Sequence, residues 1–294
     1  MGLRLKFNLV LGIAAVIIFL AASYLARIFF MEDAKAEVIR QARIMMESAV
    51  AVRSYTVKEV KPLLAVQSRR QFLPQTVPAY AASRYVGELQ KEYPDYSYKE
   101  AVFNPTNPAH RAQDWEADII NWFASHRDEK ELIGERQAQT GASLYLGLPI
   151  EITDPKCLAC HGTVADAPST MLEQYGTAGG FGWKLGEVIG VQLVTVPTSI
   201  PYQQAERALQ GFMITLGSVI ATLLILLNLM LHFIVIRPVR RIAMQADAVS
   251  MGTLNVEEIS YRGSDEIASM ARSVNRMHRS LINAMEMLDS DDRE

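Results

Sequence analysis

Asp154-Pro-Lys-Cys157-Leu-Ala-Cys160-His161-Gly162 is the stretch from which the rest of the chain is read. Two thiols three residues apart, followed at once by an imidazole, form the spacing that attaches a c-type haem, because two thioethers and an axial nitrogen then sit on one short turn. Zinc would need four ligands, and the sequence holds no second Cys or His pair at similar spacing. A dithiol redox pair normally opens a helix in a βαβ setting, whereas Asp154-Pro155-Lys156 and Gly162-Thr163 read as loop. The expectation is one covalent haem c on Cys157 and Cys160, with His161 as the axial iron ligand. These are the only two cysteines among 294 residues, so a disulfide framework is excluded.

On either side of that turn the composition becomes β-rich. Ser143-Leu-Tyr-Leu-Gly-Leu-Pro-Ile150 precedes it, Glu187-Val-Ile-Gly-Val-Gln-Leu-Val-Thr-Val196 follows it, and their alternation predicts two paired strands. Between them lies Tyr175-Gly-Thr-Ala-Gly-Gly-Phe-Gly-Trp183, whose glycines permit close backbone approach and whose rings suit a flat apolar ligand. The alternative is a glycine-rich hairpin that touches no ligand. Met171, Tyr175, Phe181 and Trp183 are candidates to line a haem pocket. The group facing the iron opposite His161 decides whether the centre only changes oxidation state or also binds gas. Of the five histidines, His232 falls in an apolar span and His278 beyond it. His110, His126, Tyr55, Met46 with its neighbour Met45, Met171, or no protein ligand at all remain as alternatives. A histidine at a polar position, such as His126, is more often a solvated side chain.

Upstream, residues 32 to 67 carry Ile39, Ala42, Met46, Ala49, Val60 and Leu63 at three-four spacing and read as one long helix with a packing face. After Pro74 and Pro78 a helix from Ala79 to Glu92 is expected. The turn cluster Asn104-Pro-Thr-Asn-Pro108 leads into another, Gln113 to His126, with Trp115, Ile119 and Trp122 or Phe123 on one face.

Half of the residues are hydrophobic, which is high for a wholly soluble chain. No charged residue occurs from Phe7 to Ala26 or from Ala208 to Ile236. At about 1.5 Å of rise per residue, each run covers a hydrocarbon core of roughly 30 Å. A cleaved signal peptide is the alternative for the first run, which is longer than the usual apolar region of about 7 to 15 residues. Arg4 and Lys6 before the first run, and Arg237, Arg240 and Arg241 after the second, place both termini in the cytoplasm; Arg27, Lys35 and Arg207 weaken that bias. Attachment of c-type haem outside the bacterial cytoplasm breaks the tie. The expected order is a cytoplasmic N-terminus (1–6), a first transmembrane helix (7–30), a periplasmic haem domain (31–207) and a second transmembrane helix (208–236), the two helices crossing the lipid of a bacterial inner membrane. With a net charge of −3 and charges of both signs interspersed, nothing points to a nucleic-acid surface.

Beyond the second run, Arg237-Pro238 opens a helix with Ile242, Ala246 and Val249 that breaks at Gly252. From Glu266 a second helix carries Ile267, Met270, Val274, Met277, Leu281, Ala284 and Leu288, a heptad seam sustained over three repeats. Two short amphipathic helices cannot bury enough apolar surface alone, so a parallel homodimer forming a four-helix bundle is expected.

This segment resembles the HAMP signalling module, on Pro238, on Gly252 and Leu254 entering the connector, and on Asp265-Glu266-Ile267 opening the second helix. Its expected extent is 237–288, followed by an acidic tail, 289–294. The external part resembles a family of c-type haem domains with a PAS-like fold, once catalogued only as a domain of unknown function. That likeness rests on Asn104-Pro-Thr-Asn-Pro108, the Cys-Leu-Ala-Cys-His run, Tyr175-Gly, Gly180-Phe-Gly-Trp183 and Val188-Ile-Gly190. The resemblance implies an α+β chain in which a small mixed sheet and the long N-terminal helix enclose the haem. Proteins of this architecture usually continue past HAMP into an output domain, and this chain stops at Glu294, so a separate cytoplasmic output partner, a truncated receptor or a non-signalling role is implied.

Three functions are compatible with these features. The favoured one is a dimeric transmembrane sensor of redox state or a small gas. The second is a membrane-anchored periplasmic electron-transfer cytochrome c, which has no need of the heptad seam. The third is an enzyme such as a peroxidase, for which no distal acid-base pair stands out; no catalytic constellation is found, so a non-enzymatic role is expected.

Overall fold

The computed structural model describes residues 2–138, 141–253, 255–261 and 263–291. Leu254 and the end of the acidic tail, expected parts of the connector and C-terminus, lie outside the described residues, as does the side chain of Leu288 in the heptad seam. In chain order the elements are α1 (Leu3–Tyr55), α2 (Lys61–Leu63), α3 (Pro78–Leu89), β1 (Ser97–Val102), α4 (Asp114–Ser125), β2 (Leu132–Ala138), β3 (Gly141–Glu151), α5 (Leu158–His161), α6 (Ser169–Tyr175), β4 (Val188–Pro197), α7 (Ser199–Met230), α8 (Arg237–Ser250) and α9 (Glu266–Asp291). Two compact units result, Arg27–Leu209 and Met1–Ala26 with Gln210–Glu294.

In the unit Arg27–Leu209 the described strands form one sheet in the order β1-β4-β3-β2, antiparallel throughout. The mixed sheet implied by the resemblance is thereby corrected: each ladder joins strands that run in opposite directions. β3 and β4, the two strands read from alternation, pair with each other at the centre. Alternate residues of β4 face opposite layers, as the period of two requires. Val194 and Val196, with Leu144 and Leu146 of β3, pack against Val38, Ala42, Met45 and Met46 of α1 and Val86 of α3. Val191 and Leu193 pack against Ile119, Ile120 and Phe123 of α4. Gly147 lets that second layer close, since a Cβ there would lie 3.2 Å from Val191 and 3.3 Å from Leu193.

Charged side chains fasten the helices to the edge strand. Arg53 of α1 pairs with Glu100 of β1, which also accepts a hydrogen bond from the Tyr98 hydroxyl at 2.8 Å. Lys99 bridges to Glu116 at 2.6 Å, and the Glu116 carboxylate caps α4 by accepting from the Gln113 backbone N–H at 2.7 Å. Both carboxylates are buried and both are satisfied, which is how a buried charge is tolerated.

A π-helical segment, Thr56–Val60, separates α1 from α2, and another, Leu231–Ile236, separates α7 from α8. Each ends two residues before a proline, Pro62 or Pro238. Proline has no N–H for the carbonyl four residues back, and the wider i to i+5 bond is the local remedy.

The other unit holds apolar stretches of α1 and α7 that are long enough to cross a membrane by length and composition. Within it α8 stops at Gly252, whose φ of +86° closes a hydrogen-bonded cap: its N–H donates to the Val249 carbonyl at 3.1 Å. Asp265 opens α9 by accepting from the Ala268 N–H at 2.8 Å. The Asn275 side chain then holds the connector, exchanging two hydrogen bonds with the backbone of Ile259. Ala268, Ala271, Asn275 and His278 are the buried face of α9, and Ile242 and Val249 that of α8. The heptad seam borders that face and runs out to the surface: Ile267 and Val274 are half-buried, Met270 and Met277 are each 46% exposed and Leu281 is 40% exposed.

Candidate functional site

The connection between β3 and β4 carries the Cys-Leu-Ala-Cys-His run. Asp154 starts it by accepting from the Lys156 backbone N–H at 2.9 Å, and the chain winds through one 3-10 turn, Pro155–Cys157, directly into α5. Of the flanks read as loop, Gly162-Thr163 is irregular as expected, whereas Pro155-Lys156 lies in the 3-10 turn, because the aspartate cap and Pro155 preset its first residues. Cys157 and Cys160 are free thiols, both half-buried. Cys157 and Leu158 rest on Val102, Ile152 and Ile189, with Trp183 beside them.

His161 is held on two sides. Its Nδ1 lies 2.7 Å from the Gly180 carbonyl oxygen, so this nitrogen carries the proton as the donor and Nε2 is left with its lone pair. The Trp183 ring stacks on the imidazole at 4.0 Å between centroids and 16° between planes. Backbone bonds from Gly182 to Gly162 at 2.7 Å and from Trp183 to His161 at 3.2 Å zip the glycine segment to the turn. Burial pushes the His161 imidazole below its ordinary pKa, with the Gly180 carbonyl opposing, which favours the uncharged ring. Burial pushes the Cys160 thiol up, opposed by the Lys61 ammonium of α2 and reinforced by Cys157.

Among the described residues no three His, Cys, Asp or Glu side chains converge on a point where a metal ion alone would be held. The two thiols and the imidazole thus stand on a single turn, Cys157 to His161.

Of the expected pocket residues, Trp183 is the one in direct contact with His161. Met171 is buried on α6, Tyr175 meets Phe72 edge-on at 5.5 Å, Trp183 covers His161, and the Phe181 carbonyl accepts a long bond from Asn104 at 3.4 Å. The segment 175–183 is tied to the His161 turn through Gly180, Gly182 and Trp183. The distal candidates are dispersed. Met46, with Met45, is sealed in the core between α1 and the sheet, where the three-four stripe places it. Tyr55 is exposed at the end of α1. His126 caps α4, stacked on Trp122 at 4.6 Å with Nδ1 at 2.9 Å from the Trp122 carbonyl. His110 sits in a 3-10 turn with burial pushing its pKa down, Glu100 opposing and Lys99 reinforcing; its Nδ1 is buried without a hydrogen-bond partner among the described residues.

Sequence reasoning did not single out Lys61, Phe72 or Thr106 for this region. Pro62 and the flanking prolines signal the chain reversals that bring Lys61 and Phe72 round, but the approach itself is tertiary. Thr106 was legible only as one member of a turn cluster.

The family model described as Tll0287-like matches residues 31–197, and the model of the HAMP domain matches residues 230–283. Among solved structures the chain is similar to the crystal structure of the cyanobacterial heme-protein Tll0287, at 15% identity and a TM-score of 0.41, over 55% of this chain and 95% of that one. No curated protein matches the chain.

Proposed function

The chain belongs to the Tll0287-like family over residues 31–197 and carries a HAMP domain over residues 230–283, and from that premise we propose that it is a membrane-bound haem sensor. One haem c is attached at Cys157 and Cys160, with His161 as the axial ligand, and its state is relayed through HAMP to a separate cytoplasmic output protein. The observation that carries this reading is the His161 imidazole, oriented by its Nδ1 bond to the Gly180 carbonyl on the same turn as two free thiols. Haem bound there supplies an iron that changes oxidation state or takes up a small gas. The chain's own residues do the rest. The thiols fasten the group, Nδ1 stays protonated on the Gly180 carbonyl, and Trp183 with Met171 and Tyr175 keeps one side apolar.

Topology follows the same reading. Residues 7–30 and 208–236 cross the inner membrane, residues 31–207 are periplasmic, and both termini are cytoplasmic, in line with Arg4, Lys6, Arg237, Arg240 and Arg241. The HAMP segment, 237–288, pairs with a second copy through the exposed seam of α9. An electron carrier has no use for such a seam, which is why sensing is preferred to electron transfer.

Two measurements test this. Pyridine haemochrome spectroscopy on protein matured with c-type assembly machinery gives a c-type band, lost in Cys157→Ala/Cys160→Ala; a wild-type chain without the band sinks the haem assignment. Cysteines introduced at Ile267 or Met270 crosslink between copies to different extents with the iron oxidised, reduced and gas-bound, and identical crosslinking in all three overturns the relay.

A further inference from the structure

His161 is positioned from outside its own loop. The turn after β1 closes on the glycine segment with no space between them. A Cβ on Gly180 would fall 2.0 Å from the Thr106 Oγ1 and 2.9 Å from its Cα, and one on Gly179 would fall 2.7 Å from the Pro105 carbonyl oxygen. Gly180 holds φ at +86°, a conformation in which a side chain is strained as well as blocked. Among the described residues the buried Thr106 hydroxyl has no hydrogen-bond partner, and its close approach to Gly180 gives it a packing role. Asn104 adds its bond to the Phe181 carbonyl on the far side of Gly180. The carbonyl so trapped is the one that receives the His161 Nδ1 proton at 2.7 Å.

We infer that Thr106, packed on Gly180, is a positioning residue that fixes the Gly180 carbonyl on His161 and thereby sets the electron-donating strength of that ligand toward iron. The inference rests on the haem reading above. A firm Nδ1–H to carbonyl bond makes the imidazole more basic and favours the ferric state; when the carbonyl is free to drift, that preference weakens. The Asn104–Thr106 turn follows directly on β1, so the same contact makes the ligand responsive to the strand that Glu100 and Arg53 tie to α1.

The test uses the full chain in nanodiscs, with haem content, thermal unfolding and spectro-electrochemical titration measured together. Thr106→Ala removes the packing and moves the midpoint potential positive, with the ferric-to-ferrous ratio at fixed potential changing about tenfold, or about 59 mV for one electron. Thr106→Val keeps the volume, deletes only the unpaired hydroxyl and stays at the wild-type potential with unchanged or higher thermal stability. Gly180→Ala shifts the potential the same way as Thr106→Ala; if it does not fold, the two Thr106 variants decide alone. Full haem loading with an unmoved potential in Thr106→Ala overturns the inference and leaves the haem reading intact. An equal shift in Thr106→Val also overturns it, because the hydroxyl and not the packing would then be responsible. A wild-type chain that holds no haem removes both.

Discussion

Helices α1 and α9 share an apolar three-four spacing and meet opposite surroundings. Along α1, Val38, Ala42, Met45 and Met46 are buried against the sheet of their own chain. Along α9, Met270, Met277 and Leu281 remain exposed although the neighbouring face, Ala268, Ala271, Asn275 and His278, is buried. Periodicity states that a helix has a face in need of cover. It does not state whose atoms cover it. Where the same chain supplies strands, the stripe becomes core; where the described residues supply α8 alone, a second stripe stays exposed, and the proposed function gives it to another copy.

The largest effect expected from breaking this contrast lies on α1. Met46→Ala leaves a cavity between helix and sheet and destabilises the full chain by about 2–5 kcal/mol, read as a fall in the denaturant midpoint followed by tryptophan fluorescence. A loss under about 0.5 kcal/mol would mean that α1 is covered by something other than its own sheet.

Glu100→Gln ranks next. It leaves the Arg53 guanidinium three-quarters buried without its counter-charge and costs about 1–3 kcal/mol. Burial works against the Arg53 charge, but Glu100 and Tyr98 together outweigh it and hold its pKa above the ordinary value. A raised pKa stabilises the fold at every pH below the ordinary arginine value, so the Arg53 contribution is constant from neutral pH to mildly alkaline conditions. A double-mutant cycle with Arg53→Gln that returns no coupling would show that α1 is fastened by its apolar stripe alone.

What was legible in the sequence follows the same logic. β3 and β4 were found because central strands are covered on both faces and read as apolar runs, and they pair as expected. β1 and β2 were missed, and both are edges. Charged residues break up both edges, since Lys99 with Glu100, or Glu135 with Arg136, dilutes the alternation that marks a strand. The Cys-Leu-Ala-Cys-His run was readable because all its chemistry is local. The Gly180 carbonyl and Thr106 were not, since a backbone oxygen has no residue signature and its approach to His161 depends on a turn about 70 residues upstream.

The third effect moves from stability to association. Met277→Ala in the exposed seam of α9 leaves unfolding of the Arg27–Leu209 unit unchanged and weakens pairing of copies about tenfold, or about 1.4 kcal/mol. Crosslinking through a cysteine placed at Met270 reads it as a shift to higher protein concentration. If unfolding falls instead and crosslinking holds, the seam is intramolecular and the contrast with α1 disappears.

The smallest effect is the sharpest control. Ile44 on α1 is 62% exposed, more than Met277 on α9. Exposure alone would make it the better docking residue. Its helical neighbours at three and four positions are Arg40, Gln41, Glu47 and Ser48, whereas Met277 has Val274 and Leu281 on its own stripe. A lone apolar side chain among polar neighbours is ordinary surface and a row of them is an unfilled interface. Ile44→Ala therefore changes stability by no more than about 0.5 kcal/mol and leaves the α9 crosslinking curve where it was. Should it weaken crosslinking as Met277→Ala does, α1 would carry a second face between copies, and continuity of the stripe would no longer separate the helix that is covered from the helix that waits for a partner.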